Sequence, residues 1–229
     1  MKLIDQTWYL LKKEILLEWR SKYAFNGVLL YIVSTVFICY ISFHLTPGFS
    51  SKDYKGYKIV WNVLFWIIIL FASVNAIAKS FMQESKARLL YYYSIASPQA
   101  IILSKTLYNV ALMMLLSTLA LLIYLLFFEN TLGDPLFYFI AVLLGSVSFS
   151  TVFTMISAIA SKAGNNGTLM AILSFPVIIP IILILIRLSK RAMDGIDRSF
   201  SYSDMGALAA INAIVITTAL ILFPYLWRD

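Results

Sequence analysis

Long apolar runs without charge alternate with short polar segments along the 229 residues of the chain. An α-helix needs about 20 apolar residues to cross the hydrocarbon core of a bilayer. In lipid, every backbone polar group must be paired within its own element, so such runs form helices. Six uncharged windows are found, at residues 24–45, 59–78, 106–128, 135–161, 163–186 and 205–227. They predict transmembrane helices over about residues 24–45, 59–78, 104–128, 135–161, 165–187 and 205–227.

Composition supports this interpretation. Apolar residues make up 61% of the chain and charged residues 13%, against about 45–50% and about 25% in soluble domains. A water-soluble fold of this length could not bury so much apolar surface, which excludes a soluble enzyme. The sequence therefore predicts an all-α polytopic membrane protein, with residues 1–229 forming a single transmembrane domain.

The distribution of cations predicts the orientation. Cytoplasmic segments of membrane proteins carry an excess of Lys and Arg. If the N-terminus is cytoplasmic, eleven of the 18 Lys and Arg residues lie on the inside. We therefore expect both termini to be cytoplasmic.

The first 22 residues precede the apolar windows and predict a different kind of helix. In residues 5–22 and just before them, apolar side chains recur every three or four positions, which places them on one helix face. These residues are Ile4, Trp8, Leu11, Ile15 and Trp19. A helix of this type lies along the membrane interface with its tryptophans at the depth of the head groups.

The segment 79–98 is the longest predicted cytoplasmic connection, and we call it the connector. Glu84 and Arg88 are spaced to pair on a helix, and Ser97 followed by Pro98 is typical of an N-cap and a first helical residue. A short helix over about 80–93 should therefore end before a new helix begins at Pro98. The connector is either an interfacial loop helix or a coupling helix that docks on a cytosolic ATPase.

The fifth window contains Pro176 and Pro180, four residues apart. Each proline removes a backbone donor and disfavours regular helix. The pattern predicts a kinked or broken span, which serves either as a packing kink or as a hinge or half-helix at an outer gate.

The longest outer segment, residues 187–204, is rich in charge. It is interpreted either as a solvated loop or as a periplasmic docking loop. The candidate docking residues are Arg187, Lys190, Arg191 and Asp194.

Chemical motifs are absent from the sequence. There is no P-loop for ATP and no motif of a hydrolase, and a single cysteine and a single histidine give no metal site. Asn75, Asn109 and Asn212 lie in the windows and are expected to hydrogen-bond between helices. A permease that is driven by a separate ATPase, and that is not itself an enzyme, has these features.

Two stretches resemble the family of haem exporter protein B (CcmB), the permease of the ABC-type cytochrome c maturation system. The first is the connector, with Phe81-Met-Gln-Glu84, Leu89-Leu90, Ser97-Pro98 and Lys105. The second is a short glycine-containing loop and the span that follows it, Ala160-Ser-Lys-Ala-Gly164-Asn-Asn-Gly167 and Leu173-Ser-Phe-Pro176-Val-Ile-Ile-Pro180. The similarity extends over about residues 7–226.

The resemblance implies an ABC-2-type architecture and a set of partners. A cytosolic subunit (CcmA) would bind and hydrolyse ATP, and the complex would include a haem-handling membrane protein (CcmC) and a small single-span subunit (CcmD). Haem would be a substrate, loaded onto a periplasmic chaperone (CcmE), and ATP hydrolysis would drive haem export or release of the loaded chaperone. No cofactor is expected to be bound by this chain itself.

The resemblance also favours the coupling interpretation of the connector. The residues of the ATPase-coupling segment would be Phe81, Glu84, Arg88, Leu89, Leu90, Ser97 and Pro98. Because one six-span unit cannot enclose a pathway, we expect two permease copies. Two alternatives remain open at this point: an ABC-2-type exporter of a lipid, drug or other hydrophobic substrate, and a stand-alone membrane scaffold.

Overall fold

The structure is a computed structural model that describes residues 3–21, 23–45, 56–77, 79–82, 92, 96–162 and 167–228. No strand occurs within these ranges. The elements are α1 (Leu3–Ser21), α2 (Tyr23–His44), α3 (Tyr57–Ile77), α4 (Lys79–Met82), α5 (Pro98–Phe127), α6 (Pro135–Lys162), α7 (Gly167–Asp194), a 3₁₀ helix (Arg198–Ser201) and α8 (Tyr202–Arg228).

Six of the described helices are long and apolar enough to cross a membrane, which confirms the predicted number of spans. They are α2, α3, α5, α6, α7 and α8. The all-α polytopic class that was predicted is therefore confirmed.

Helix α6 lies at the centre of the bundle. It packs against α3, α4, α5, α7 and α8, and two thirds of its most apolar window is buried. Small residues allow this close packing. At Gly145 a Cβ atom would lie 2.5 Å from the Trp66 ring, so this position in α6 admits only a hydrogen where α3 crosses it.

Hydrogen bonds between side chains fix the register of the central helices. The amide of Asn109 in α5 donates to Thr154 Oγ1 of α6 at 2.8 Å. The amide of Asn212 in α8 donates to Ser148 Oγ of α6 at 3.0 Å. The prediction of bonds between helices is thus confirmed for Asn109 and Asn212, whereas Asn75 is exposed on α3.

Near the outer ends of α3, α5 and α6 the core is aromatic. The rings of Trp61 and Tyr124 meet edge to face at 4.8 Å between centroids. Tyr138 Oη donates to Asn62 Oδ1 at 3.1 Å, and the Asn62 amide donates to Ile186 O of α7 at 3.1 Å. These contacts join four spans at a level where the predicted topology places the outer leaflet.

The structure corrects the predicted end of the fifth span and the loop that follows it. Helix α7 continues to Asp194, seven residues past the predicted end, and stops at Gly195, whose φ of +68° ends the helix. Arg187, Lys190, Arg191 and Asp194 therefore lie on a helix rather than in an 18-residue loop. The end of α7 can carry charged residues because Lys58 of α3 and Asp204 of α8 provide their partners.

Pro176 and Pro180 lie inside α7, which is continuous through both residues. Helix α7 is thus not divided into two half-helices at the prolines, which was one of the two alternatives. Both prolines lie on the exposed face of α7. The role of these residues at a gate stays a prediction.

Candidate coupling site

Helix α1, the connector, the start of α5 and the end of α8 meet at one end of the bundle, which we call the connector end. The described residues that form polar contacts there define a cluster that we call the junction. Its members are Gln6, Lys13, Glu14, Ser80, Tyr92, Ser97 and Lys105.

Helix α5 begins as predicted, with Ser97 as its N-cap and Pro98 as its first residue. Ser97 Oγ accepts a bond from the N–H of Ala100 at 3.4 Å. Gln6 of α1 secures this cap, because its Oε1 accepts from the Ser97 N–H at 3.1 Å and from Ser97 Oγ at 2.9 Å. Helix α1 and the start of α5 therefore move together.

About two turns further along α5, Lys105 makes the central ion pair of the junction. It is 3% exposed, and its Nζ lies 3.4 Å from Glu14 Oε1 of α1. The same Nζ donates to Ser80 O of α4 at 2.7 Å. One buried ammonium of α5 thus links this helix to both α1 and α4.

Glu14 has a second cation beside it. Lys13 Nζ lies 2.8 Å from Glu14 Oε1, and it also donates to Tyr92 Oη of the connector. Burial alone would raise the pKa of Glu14, but the charges of Lys105 and Lys13 outweigh it, so the pKa is lowered. Burial would lower the pKa of Lys13, yet Glu14 and Tyr92 together raise it. Glu14 and Lys13 are therefore both charged at neutral pH.

Under the ion pairs lies a small apolar cluster that is separate from the main core. Phe81 of α4 packs on Phe223 of α8 with 5.5 Å between ring centroids. Lys105 Nζ lies 4.9 Å from the centre of the Phe81 ring, in a cation–π contact. The buried members of the cluster are Phe81, Tyr92, Ile101, Ile102, Ala158, Ala219 and Phe223. A displacement of Phe81 would therefore be felt in α5, α6 and α8.

The predicted coupling residues fall into two groups. Phe81 lies in the apolar cluster, and Ser97 and Pro98 lie at the start of α5. The other predicted coupling residues lie outside the described residues; these are Glu84, Arg88, Leu89 and Leu90.

The residues that sequence reasoning did not assign are Gln6, Lys13, Glu14 and Lys105. Lys105 carried a signal, since it stands as a lone cation at the edge of an apolar window. Gln6 carried none, because its partner lies 91 residues away.

The predicted docking residues lie at the opposite end of the bundle, and three of them have partners within the chain. Arg191 pairs with Asp204 at 2.8 Å, Arg187 lies 3.6 Å from the same carboxylate, and Asp194 lies 3.7 Å from Lys58. Lys190 is exposed. Arg187, Arg191 and Asp194 thus brace α7 against α8 and α3, which the sequence interpretation did not foresee.

No group of three or more His, Cys, Asp or Glu side chains that could hold a metal occurs among the described residues. His44 stacks on Tyr40 with 5.8 Å between ring centroids. The described residues of the junction are joined by ion pairs and hydrogen bonds.

Comparison with known proteins gives one finding. The model of the family described as CcmB protein matches residues 5–225, which is nearly the whole chain. The matched range includes α1, the junction and all six spans. No curated protein matches the chain.

Proposed function

The chain belongs to the CcmB family, and we propose that it couples ATP hydrolysis on a separate cytosolic subunit to haem export or to release of a haem-loaded chaperone. Members of this family are permease components of the haem-export system of cytochrome c maturation. The chain is accordingly a multi-pass transporter permease subunit of that system. Family membership favours this role over export of a lipid or drug and over a stand-alone scaffold.

The observation that carries the coupling proposal is the double attachment of α1 to α5. Gln6 holds the N-cap of α5, and Glu14 holds Lys105 about two turns further on. A contact at a single point would allow α1 to rotate, whereas two contacts on one helix fix both position and direction. An ATPase that moves the connector would therefore tilt α5 and α1 as one body.

The partners follow from the same proposal. The ATPase CcmA would dock on the connector, CcmC and CcmD would join in the membrane, and CcmE would receive haem on the periplasmic side. Two permease copies would face two ATPase copies, because a two-site ATPase dimer needs two connectors. Both termini would be cytoplasmic in the bacterial inner membrane, which puts the connector on the side of the ATPase.

Haem is proposed as a substrate of the complex rather than a group that this chain holds alone. The sequence has one histidine, and that residue packs on a tyrosine ring at the end of α2 opposite the junction. Haem sites in membrane helices use paired axial ligands. Haem handling is therefore assigned to the partner CcmC, and binding of ATP to CcmA.

The test replaces Lys105 by Met, which keeps an unbranched side chain that is one heavy atom shorter and removes its charge. The variant permease is expressed with its partners in cells that lack their own copy. We expect the permease to reach the membrane, but c-type cytochrome to fall several-fold because the connector is no longer tied to α5. The readouts are the amount of c-type cytochrome and the amount of ATPase that co-purifies.

Lys162→Met is the matched control, because Lys162 is an exposed lysine at the same end of the bundle. This variant should mature cytochrome normally. Normal maturation in Lys105→Met, with the protein present at full level, would overturn the coupling role of the junction. Equal losses in both variants would show that any lysine at this end matters and would contradict it as well.

A further inference from the structure

A groove lies beside the last turns of α1, past the residues of α1 that form the junction. It opens between the last turns of α1, the start of α2 and the middle of α5, and its volume is about 460 Å³. Its walls are mostly apolar, with Trp19, Phe25 and Tyr108 as the largest side chains and Leu112 and Leu115 beside them. Sites of about 300–1,000 Å³ with apolar walls and a few polar groups are typical of small-molecule binding.

The position of α1 determines what can enter this groove. Ile4, Trp8 and Trp19 are 78%, 64% and 75% exposed on α1, and apolar side chains exposed along one face place a helix in the membrane interface. The groove therefore opens into the lipid leaflet in which α1 lies. An acyl chain is the apolar molecule that this leaflet supplies in excess.

Glu18 gives the groove a chemical preference. Among the described residues that line it, Glu18 is the only charged one. Its Oε1 accepts a bond from the Phe25 N–H at 2.9 Å, and Tyr108 also lines the groove. The bond from Phe25 holds the carboxylate at the groove while leaving it further lone pairs. A fixed anion at this depth attracts an ammonium and repels an anionic head group.

From this arrangement we propose that the groove binds one phospholipid whose head group carries a primary ammonium, such as phosphatidylethanolamine. One acyl chain lies between Trp19 and Leu115, and the ammonium pairs with Glu18. The phosphate stays in the interface, where Arg20 is exposed two residues further along α1. A bound lipid would fill the space between α1 and α5 that the protein leaves open and would hold α1 in place.

The first test measures lipid retained by the full-length chain. The protein is purified from membranes with equal amounts of phosphatidylethanolamine and phosphatidylglycerol, and retained lipid is counted by native mass spectrometry. We expect one phosphatidylethanolamine per chain, enriched about fivefold over phosphatidylglycerol, which corresponds to a partly exposed ion pair of about 1 kcal/mol. No enrichment, or retention of phosphatidylglycerol instead, would overturn the proposal.

Two variants separate the acyl site from the head-group site. Leu112→Trp fills the groove and should remove the retained lipid, whereas Leu122→Trp, at an exposed position on the same helix, should not. Glu18→Gln should keep a retained lipid but lose the preference for the ammonium. One phosphatidylethanolamine still retained by Leu112→Trp would overturn the proposal, as would unchanged enrichment in Glu18→Gln.

A second measurement avoids any variant that changes the volume of the groove. Phosphatidylethanolamine with brominated acyl chains is titrated into nanodiscs that hold the protein, and the quenching that depends on Trp19 is obtained by difference from Trp19→Phe. We expect this quenching to saturate at a low mole fraction of the brominated lipid. Quenching that follows the bulk mole fraction would refute the proposal, because it would show that the groove holds no lipid of its own. Quenching equal to that from brominated phosphatidylglycerol would also refute it.

Discussion

Removal of either partner of the Glu14–Lys105 pair should lower the free energy of unfolding by more than the loss of an exposed ion pair would. Lys105→Met removes the ion pair at 3.4 Å, the bond to Ser80 O and the contact with the Phe81 ring. Glu14→Gln keeps the shape of the side chain but removes the carboxylate of α1 from beside the buried Lys105 ammonium. The double variant leaves neither charge behind.

The expected magnitudes follow from burial. Loss of one partner of a fully buried pair costs about 3–5 kcal/mol, and an exposed pair contributes about 0.2–1 kcal/mol. Lys105 has a side chain that is 4% exposed, but that of Glu14 is 15% exposed and Lys13 remains beside it. We therefore expect each single variant to lose about 2 kcal/mol, and the double variant to lose about 1–2 kcal/mol less than their sum.

The assay is unfolding of the purified chain by SDS in mixed micelles, followed through tryptophan fluorescence, with all four members of the cycle. The matched control is a second cycle, Lys58→Met and Asp194→Asn, at the opposite end of the bundle. These side chains are 49% and 36% exposed with 3.7 Å between their charged atoms, so their coupling energy should stay below about 1 kcal/mol. Equal coupling energies in the two cycles would refute the claim that the junction is a buried link.

Acid should reduce this coupling in a defined direction. The pKa of Glu14 is lowered from its ordinary value of 4.5 because Lys105 and Lys13 outweigh its burial. A carboxyl whose pKa is lowered by folding contributes stability above its unfolded pKa, and that contribution is lost as pH falls through the folded pKa. The coupling energy should therefore be constant near neutral pH and decline below about pH 4.5. A coupling energy that grows with acid would contradict this assignment.

Three further predictions concern topology, the connector and haem. In a Cys39→Ser background, a cysteine introduced by Ser199→Cys should react with an impermeant maleimide from the periplasmic side, and labelling only from the inside would contradict the proposed orientation. The double variant Glu84→Ala and Arg88→Ala should lower co-purification of the ATPase or c-type cytochrome levels. Their pair alone contributes only a few tenths of a kcal/mol to a helix, so a large loss would mean contacts across the subunit interface. Normal levels of both would argue against docking there. The permease with its ATPase, without the haem-handling partner, should show no stoichiometric Soret band, and a band that is lost in His44→Ala would contradict this. The same complex should contain two permease copies by native mass, and a single copy would contradict the proposed stoichiometry.

The sequence predicted the spans well because lipid leaves the chain few alternatives. A window without charge must be a helix in a bilayer, and the six windows correspond to six helices. Ser97 and Pro98 likewise act locally, since an N-cap bonds to a residue three positions later. Such features depend on neighbours in sequence, and a single sequence contains them.

Contacts between distant segments could not be predicted in this way. The end of α7 was placed at residue 187 because Arg187 begins a charged stretch, but Asp204 and Lys58 provide the partners that let the helix continue to Asp194. The junction has the same character. Gln6 and Glu14 read as ordinary polar residues of an interfacial helix until the fold brings Ser97 and Lys105 against them.

The coupling role of the junction is tested most directly by the ratio of chaperone release to ATP hydrolysis. The complete complex is reconstituted with Lys105→Met or with Lys162→Met, and the haem-loaded chaperone released is counted per ATP consumed. We predict that Lys105→Met keeps hydrolysing ATP while the release per ATP falls several-fold, and that Lys162→Met keeps the ratio of the unaltered complex. An unchanged ratio in Lys105→Met would contradict the account, because the ATPase would then drive the membrane helices without the junction.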